Sequence, residues 1–268
     1  MTWFICNSAS GSYDAQRCDT LASALGATRR ITIPDDPMPD AAAARREGAE
    51  RIAIFTGDGT VSSAVEALEG WDGELLILPG GTMNLLSRKL HGDATSEEIV
   101  ARLPQATART MPILKGAGLR SLVGVIAGPT SAWGDVREAV RRFDIRQLAE
   151  TVPAALRETF EGDLVSLRGD ARAFQALFLD ATDQGVEALG VSAANAAELA
   201  QHGLAWLMGD FLGGPSQLLG FAPEWTVEKE GGGDIGLLVD GERASAPAPC
   251  TFTIAQCPVR FVTTTPAS

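Results

Sequence analysis

The chain has 268 residues, 45% of them hydrophobic, and a formal net charge of −12. This is sufficient apolar content for one large or two ordinary folded domains. The acidic balance excludes a broad nucleic-acid-binding surface, which needs concentrated Lys and Arg, and it disfavours tight electrostatic docking on an anionic membrane. Net charge does not forbid one local patch, so weak peripheral contact stays open. The cysteines, Cys6, Cys18, Cys250 and Cys257, form no C-x-x-C pair and read as free thiols in a reducing compartment. The stretch Met1 to Asn7 lacks the basic segment and long apolar core of a signal peptide. No apolar run reaches bilayer-spanning length; the nearest, Ser121 to Trp133, is broken by glycine and proline. The expected location is cytoplasmic, peripheral at most at the inner face of a membrane.

In chain order, Trp3 to Cys6 reads as a buried strand, followed by a turn of small polar residues, Asn7-Ser-Ala-Ser-Gly11. A helix is expected over about Asp14 to Leu25, a strand over Arg30 to Ile33, a proline-rich break over 34–39 and a helix over Ala41 to Gly48. Ile52 to Phe55 is a short continuous apolar run, the pattern of a parallel strand buried on both faces. It leads into Thr56-Gly-Asp-Gly-Thr60, after which Val61, Ala64, Val65 and Leu68 recur at helical spacing. Gly57 and Gly59 are expected to take backbone angles closed to other residues. Gly73 to Leu78 repeats the arrangement, running into Pro79-Gly-Gly-Thr-Met-Asn84 and a helix over Leu85 to Leu90.

Strands alternating with helices predict a parallel sheet with helices on both faces and a ligand site beyond the carboxyl ends of its strands. The turns at 7–11, 56–60 and 79–84 all fall at that edge. A glycine turn opening a helix suits an anion such as phosphate, and Asp58 places a carboxylate beside it, suited to a metal or a substrate proton. Beyond Pro104 to Pro112 the pattern changes to short strands: 164–167, 174–179, 225–227, 235–239, 250–254 and 259–262. Helices are expected over about 135–143 and 193–208, and Gly231-Gly-Gly is short enough to be a hairpin loop.

Four segments in order, Asn7-Ser-Ala-Ser-Gly11, Gly57-Asp-Gly-Thr60, Pro79-Gly-Gly-Thr-Met-Asn84 and Asp240-Gly-Glu242, resemble the diacylglycerol kinase catalytic-domain family, which includes bacterial lipid kinases and sphingosine kinases. The resemblance implies an α/β fold: an N-terminal Rossmann-like, parallel-sheet nucleotide-binding domain over about 1–110, then a C-terminal β-sandwich over 111–268 that helps hold the lipid. In some members the last strand returns to the first domain. It also implies ATP and Mg2+ as cofactors and a lipid alcohol such as diacylglycerol as substrate, met in transient membrane contact. By the same resemblance Asn7, Ser8, Ser10 and Gly11 contact the nucleotide; Thr56, Gly57, Gly59 and Thr60 cradle its phosphates; Gly80, Gly81, Thr82 and Asn84 shape the pocket. Asp58 is the general base, and Asp240 and Glu242 hold magnesium directly or through water.

The chain also departs from the family pattern. Thr56 stands where glycine is usual, Ser62 and Ser63 where Asn and Glu are usual, and Leu85-Leu-Ser precedes Arg88 where Asp-Phe-Ala is usual. No acidic residue matches the one with which sphingosine kinases bind an amine.

Each residue also has a plainer reading. Asp58 could cap its helix, Asn7 and Ser10 could be turn formers, and Asp240-Gly could be an ordinary hairpin turn. His91 and His202 read as surface or structural residues. Arg137, Arg141, Arg142 and Arg146 read as a solvated basic face, and Leu204, Trp206, Leu207, Met208, Phe211 and Leu212 as core rather than a lipid tunnel. Two alternatives to a lipid kinase stand: a soluble small-molecule kinase of the NAD kinase kind, and a nucleotide or lipid sensor without catalysis.

Overall fold

The computed structural model describes residues 1–11, 13–129, 162–192 and 216–265. The helices expected over 135–143 and 193–208, the arginines at 137–146, His202 and the apolar cluster at 204–212 lie outside the described residues. The chain divides into two compact units, Met1–Met111 with Gln256–Ser268, and Pro112–Ala255.

The first unit is built on a sheet of six strands: β1 (Thr2–Asn7), β2 (Arg29–Ile33), β3 (Arg51–Thr56), β4 (Glu74–Pro79), β5 (Thr107–Arg109) and β17 (Arg260–Thr263). Their order across the sheet is β2-β1-β3-β4-β17-β5. The pairs from β2 through to β17 are parallel, and β5 alone runs antiparallel, beside β17. Phe4 and Cys6 pack on one face with Cys18, Leu21 and Ile99, while Trp3 and Ile5, which alternate with them, are also fully buried. A strand covered on both faces has no polar side to display, hence the uninterrupted apolar runs.

The helices are α1 (Ala15–Ala24), α2 (Ala41–Arg46), α3 (Asp58–Ala67), α4 (Leu85–His91) and α5 (Ser96–Arg102). In α1 the buried Cys18 and Leu21, and in α3 the buried Val61, Ala64 and Val65, form the stripes that face the sheet. Sequence periodicity misses α5, which is short, but Thr95 and Glu98 form a reciprocal capping box that marks its start.

The second unit holds two antiparallel sheets. The first comprises β8 (Val125–Ala127), β10 (Ala176–Thr182), β11 (Gly185–Val191), β12 (Ser216–Ala222), β14 (Asp234–Val239) and β15 (Glu242–Pro247). The second comprises β6 (Pro112–Gly116), β7 (Leu119–Ser121), β9 (Val165–Leu167), β13 (Glu224–Lys229) and β16 (Cys250–Gln256). They are ordered β12-β11-β10-β8-β14-β15 and β7-β6-β16-β13-β9. One core joins them: Leu177, Leu179, Val186 and Leu237 from the first sheet pack with Leu114, Val227 and Phe252 from the second. This is a β-sandwich.

Gly231-Gly-Gly is not a hairpin loop. It joins β13 to β14, which belong to different sheets, and all three glycines have positive φ, at 74°, 73° and 77°. The chain must leave one layer for the other there, and consecutive left-handed residues allow that reversal without a Cβ clash.

Candidate active site

In the first unit β1 lies between β2 and β3, and the chain leaves β1 toward β2 on one side before returning to β3 on the other. That divergence opens a crevice at the carboxyl ends of the strands, the usual ligand position in open parallel sheets. Asn7, the last residue of β1, occupies it. Its Oδ1 accepts from the Ala9 N–H at 2.9 Å, forming an Asx turn, and its Nδ2 donates to Thr60 Oγ1 at 2.9 Å. Two predicted site residues are thereby joined across the crevice. Ser8 is tied toward β2, its N–H donating to the Ile33 carbonyl at 2.7 Å. The Ser10 N–H donates to the Asn7 carbonyl at 3.2 Å, and Gly11 is exposed.

The β3–α3 junction differs from expectation in its backbone. Gly57 has φ −77° and ψ 165°, extended geometry open to any residue, and Gly59 is already helical. Neither takes a positive φ. The helix begins three residues earlier than the apolar spacing indicates because Gly57 is its N-cap and Asp58 its first residue. A glycine cannot bond the first turn through a side chain. The helices α1, α2 and α5 are capped by the side chains of Asp14, Asp40 and Thr95, whereas α3 and α4, which follow the two glycine turns, have no side-chain cap bond. The first-turn N–H groups of α3 thus meet no N-cap side chain, and the positive end of the helix faces the crevice edge. Thr56 is buried, and its hydroxyl donates to the Gly57 carbonyl at 3.2 Å, so it shapes the turn from beneath. A Cβ on Gly59 would meet nothing within 4 Å.

The tight glycines are instead those of the β4–α4 turn. A Cβ on Gly80 would lie 2.6 Å from the Phe55 carbonyl carbon and the Thr56 nitrogen, and one on Gly81 would lie 2.6 Å from the Gly57 Cα. Neighbouring parallel strands deliver their turns side by side, and only glycine allows this approach. Asn84, at φ 53°, closes the turn: its Oδ1 accepts from the Gly81 N–H at 2.6 Å and its Nδ2 donates to the Gly81 carbonyl at 2.9 Å. Thr82 is exposed and Leu85 buried. Ser63 donates its hydroxyl back to the Gly59 carbonyl at 3.1 Å.

His91 lies within the first unit, not at its surface. It is buried, with Nδ1 3.0 Å from Thr264 Oγ1, and burial pushes its pKa down to about 4. Cys6, Cys18, Cys250 and Cys257 are free and buried. Desolvation by burial raises both Cys18 and Cys250 to about 11, so neither is an activated thiol.

In the second unit Asp240 and Gly241 form the two-residue loop between β14 and β15, with φ 50° and 82°, the geometry of a type I′ hairpin. The Asp240 side chain is nevertheless more than a turn former. Its Oδ1 accepts from Ser121 Oγ at 2.6 Å, Leu122 N at 3.0 Å and Val123 N at 2.8 Å, and its Oδ2 shares the Leu122 N–H at 3.0 Å. Nothing in the local sequence singles out Ser121, which lies 119 residues from Asp240. For the implied magnesium, Oδ1 is saturated by these donors; Oδ2 and the exposed Glu242 are the positions that suit a water-bridged ion. Among the described residues no group of three or more His, Cys, Asp or Glu clusters as metal ligands.

Residues 2–115 match the family described as the diacylglycerol kinase catalytic domain. No curated protein matches the chain. Three solved structures from Bacillus anthracis str. Sterne share the fold. One, a diacylglycerol kinase, is 15% identical with a TM-score of 0.60, covering 97% of this chain and 95% of its own. The others are candidate diacylglycerol kinases: one is 17% identical, TM-score 0.62, covering 98% and 96%, and the other 18% identical, TM-score 0.63, covering 100% and 98%.

Proposed function

Starting from the diacylglycerol kinase catalytic domain that residues 2–115 match, we propose that this chain is an ATP-dependent lipid kinase, transferring the γ-phosphoryl group to the hydroxyl of diacylglycerol or a similar lipid alcohol. The observation that carries the reading is the Asn7 to Thr60 hydrogen bond at the divergence of β1, beside a helix whose N-terminus has no side-chain cap and whose first residue is Asp58. The α3 first turn and Thr60 bind the phosphates, and the open space over Gly59 lets an oxyanion approach the backbone. Gly80, Gly81, Thr82 and Asn84 form the adjoining wall, with Asn84 holding its shape.

Asp58 takes the proton from the attacking hydroxyl. Phosphoryl transfer needs chiefly positioning and charge neutralisation, so a base, fixed N–H donors and a metal are adequate equipment. Magnesium, when bound, neutralises phosphate charge; in the second unit, Glu242 and Asp240 Oδ2 are the groups suited to hold it through water. The β-sandwich unit is the proposed lipid-holding part. No helix among the described residues is long and apolar enough to cross a membrane, and the lipid is proposed to be met at a membrane surface in transient contact.

A second reading has its own support. Ser63 and Leu85 stand where the family usually carries acids, and here Ser63 bonds back to its own helix while Leu85 is buried in the core. Neither can organise a metal, which favours a nucleotide sensor. One experiment separates the readings: transfer of labelled γ-phosphate from ATP and Mg2+ to diacylglycerol, monoacylglycerol, sphingosine and NAD. Label in a lipid supports the kinase, and label in NAD alone moves the protein to the soluble-kinase class. ATP binding with no labelled product supports the sensor.

A further inference from the structure

We infer that Asp35 reads the sugar of the bound nucleotide, so that the site selects nucleoside triphosphates with free ribose hydroxyls; this deepens the nucleotide reading above and rests on it. At the crevice β1 has β3 on one side and β2 on the other. The phosphate-binding groups stand on the β3 side. Asn7 is paired with Ile33, so β1 and β2 end together. Past Ile33 the chain turns through Pro34, and Asp35 comes beside the β1–α1 turn, its Oδ2 3.4 Å from Ser8 Oγ.

Asp36 is exposed, and its Oδ2 accepts from the Thr32 N–H at 2.8 Å and closes the turn. Asp35 carries no such backbone bond and is exposed at the crevice edge. Two adjacent exposed acids thus differ in what they bind, one a backbone N–H of its own turn and the other the side chain of the β1–α1 turn.

A carboxylate on the phosphates would repel them, but two strand spacings separate β2 from β3, about 10 Å. At that remove it can accept hydrogen bonds from the vicinal hydroxyls of a ribose, since an ionised carboxylate has acceptor sites on both oxygens. A 2′-phosphate would be rejected by like charge. An acid past the second strand of an open parallel sheet is well placed for this, with the phosphates on the helix across the crevice.

The test is calorimetric titration of the full chain with ATP, 2′-deoxyATP, 2′,3′-dideoxyATP and inorganic triphosphate, for wild type, Asp35→Asn and Asp35→Ala. The wild type should bind ATP at least about tenfold more tightly than the dideoxy compound. In Asp35→Ala that preference should fall to within about twofold, with Asp35→Asn intermediate, while triphosphate affinity stays within about threefold across all proteins. Equal affinity of the wild type for ATP and the dideoxy compound, or a preference that survives Asp35→Ala, would overturn the assignment while leaving the phosphate site intact. Loss of all binding, triphosphate included, in the wild type would overturn the nucleotide reading itself and the role of Asp35 with it.

Discussion

The side-chain amide of Asn7 donates to the hydroxyl of Thr60 at 2.9 Å, joining the turn after β1 to the first turn of α3 across 53 residues of sequence. The bond sits where the chain diverges on either side of β1, so it fixes the two turns that border the crevice. If this is its role, Asn7→Ala and Thr60→Ala should each lower stability by about 1 kcal/mol, and the double variant should lose clearly less than the sum. Urea unfolding of the three variants measures the coupling; strict additivity would mean that the two side chains do not cooperate.

Asp58→Asn should leave ATP affinity within a few-fold and lower phosphoryl transfer by at least about a hundredfold, the scale of a lost general base. The amide keeps the size of the side chain while removing its proton affinity. Turnover near the wild-type rate would remove Asp58 from the catalytic role.

The glycines of the two turns should respond differently to alanine. In Gly81→Ala the new Cβ would sit 2.6 Å from the Gly57 Cα, so the fold should lose about 1–3 kcal/mol in thermal or urea unfolding. Gly59 is helical with open space around its Cβ position. Gly59→Ala should therefore be neutral or stabilising by up to about 1 kcal/mol, while weakening nucleotide binding if an oxyanion approaches there. A destabilised Gly59→Ala would show that the glycine serves the fold.

Asp240→Ala would remove the carboxylate acceptor of the Leu122 and Val123 N–H groups, while the Ser121 hydroxyl keeps the Gly124 carbonyl as acceptor. A loss of about 2–4 kcal/mol is expected even with chelator present, because the penalty comes from stranded donors and needs no metal. Unchanged stability in metal-free buffer would show that these hydrogen bonds contribute little.

His91 sets a pH dependence. Its folded pKa, about 4, lies below the ordinary 6.5 because burial disfavours the imidazolium. The unfolded chain therefore binds the proton first as pH falls. This contribution is fully present above about pH 6.5 and is lost progressively down to about pH 4, amounting to about 2 kcal/mol by pH 5. Urea midpoints at pH 7.5 and 5.0 should converge in His91→Gln relative to wild type. An equal acid loss in both proteins would assign it to other groups.

The residues that announce themselves locally are those whose role depends on near neighbours along the chain. The apolar runs of β1, β3 and β4 declare strands covered on both faces, and parallel strands necessarily deliver the turns at 7–11, 56–60 and 79–84 to one edge. Hence the parallel-sheet half of the fold and the edge that carries its candidate site are legible in the order of residues alone. The second unit is legible only in outline, because short strands such as β7 and β8 carry three residues each, too few for a periodic signal. What tertiary structure alone decided are relationships between distant segments. It placed β17 from the end of the chain between β4 and β5, and it showed that Gly80 and Gly81 answer to the backbone of Phe55 to Gly57. It also gave the Asp240 carboxylate to the N–H groups of residues 122 and 123. Local pattern encodes whether a residue is buried and which way its strand points. It does not encode which segment arrives beside it, because that is settled by packing the whole chain at once.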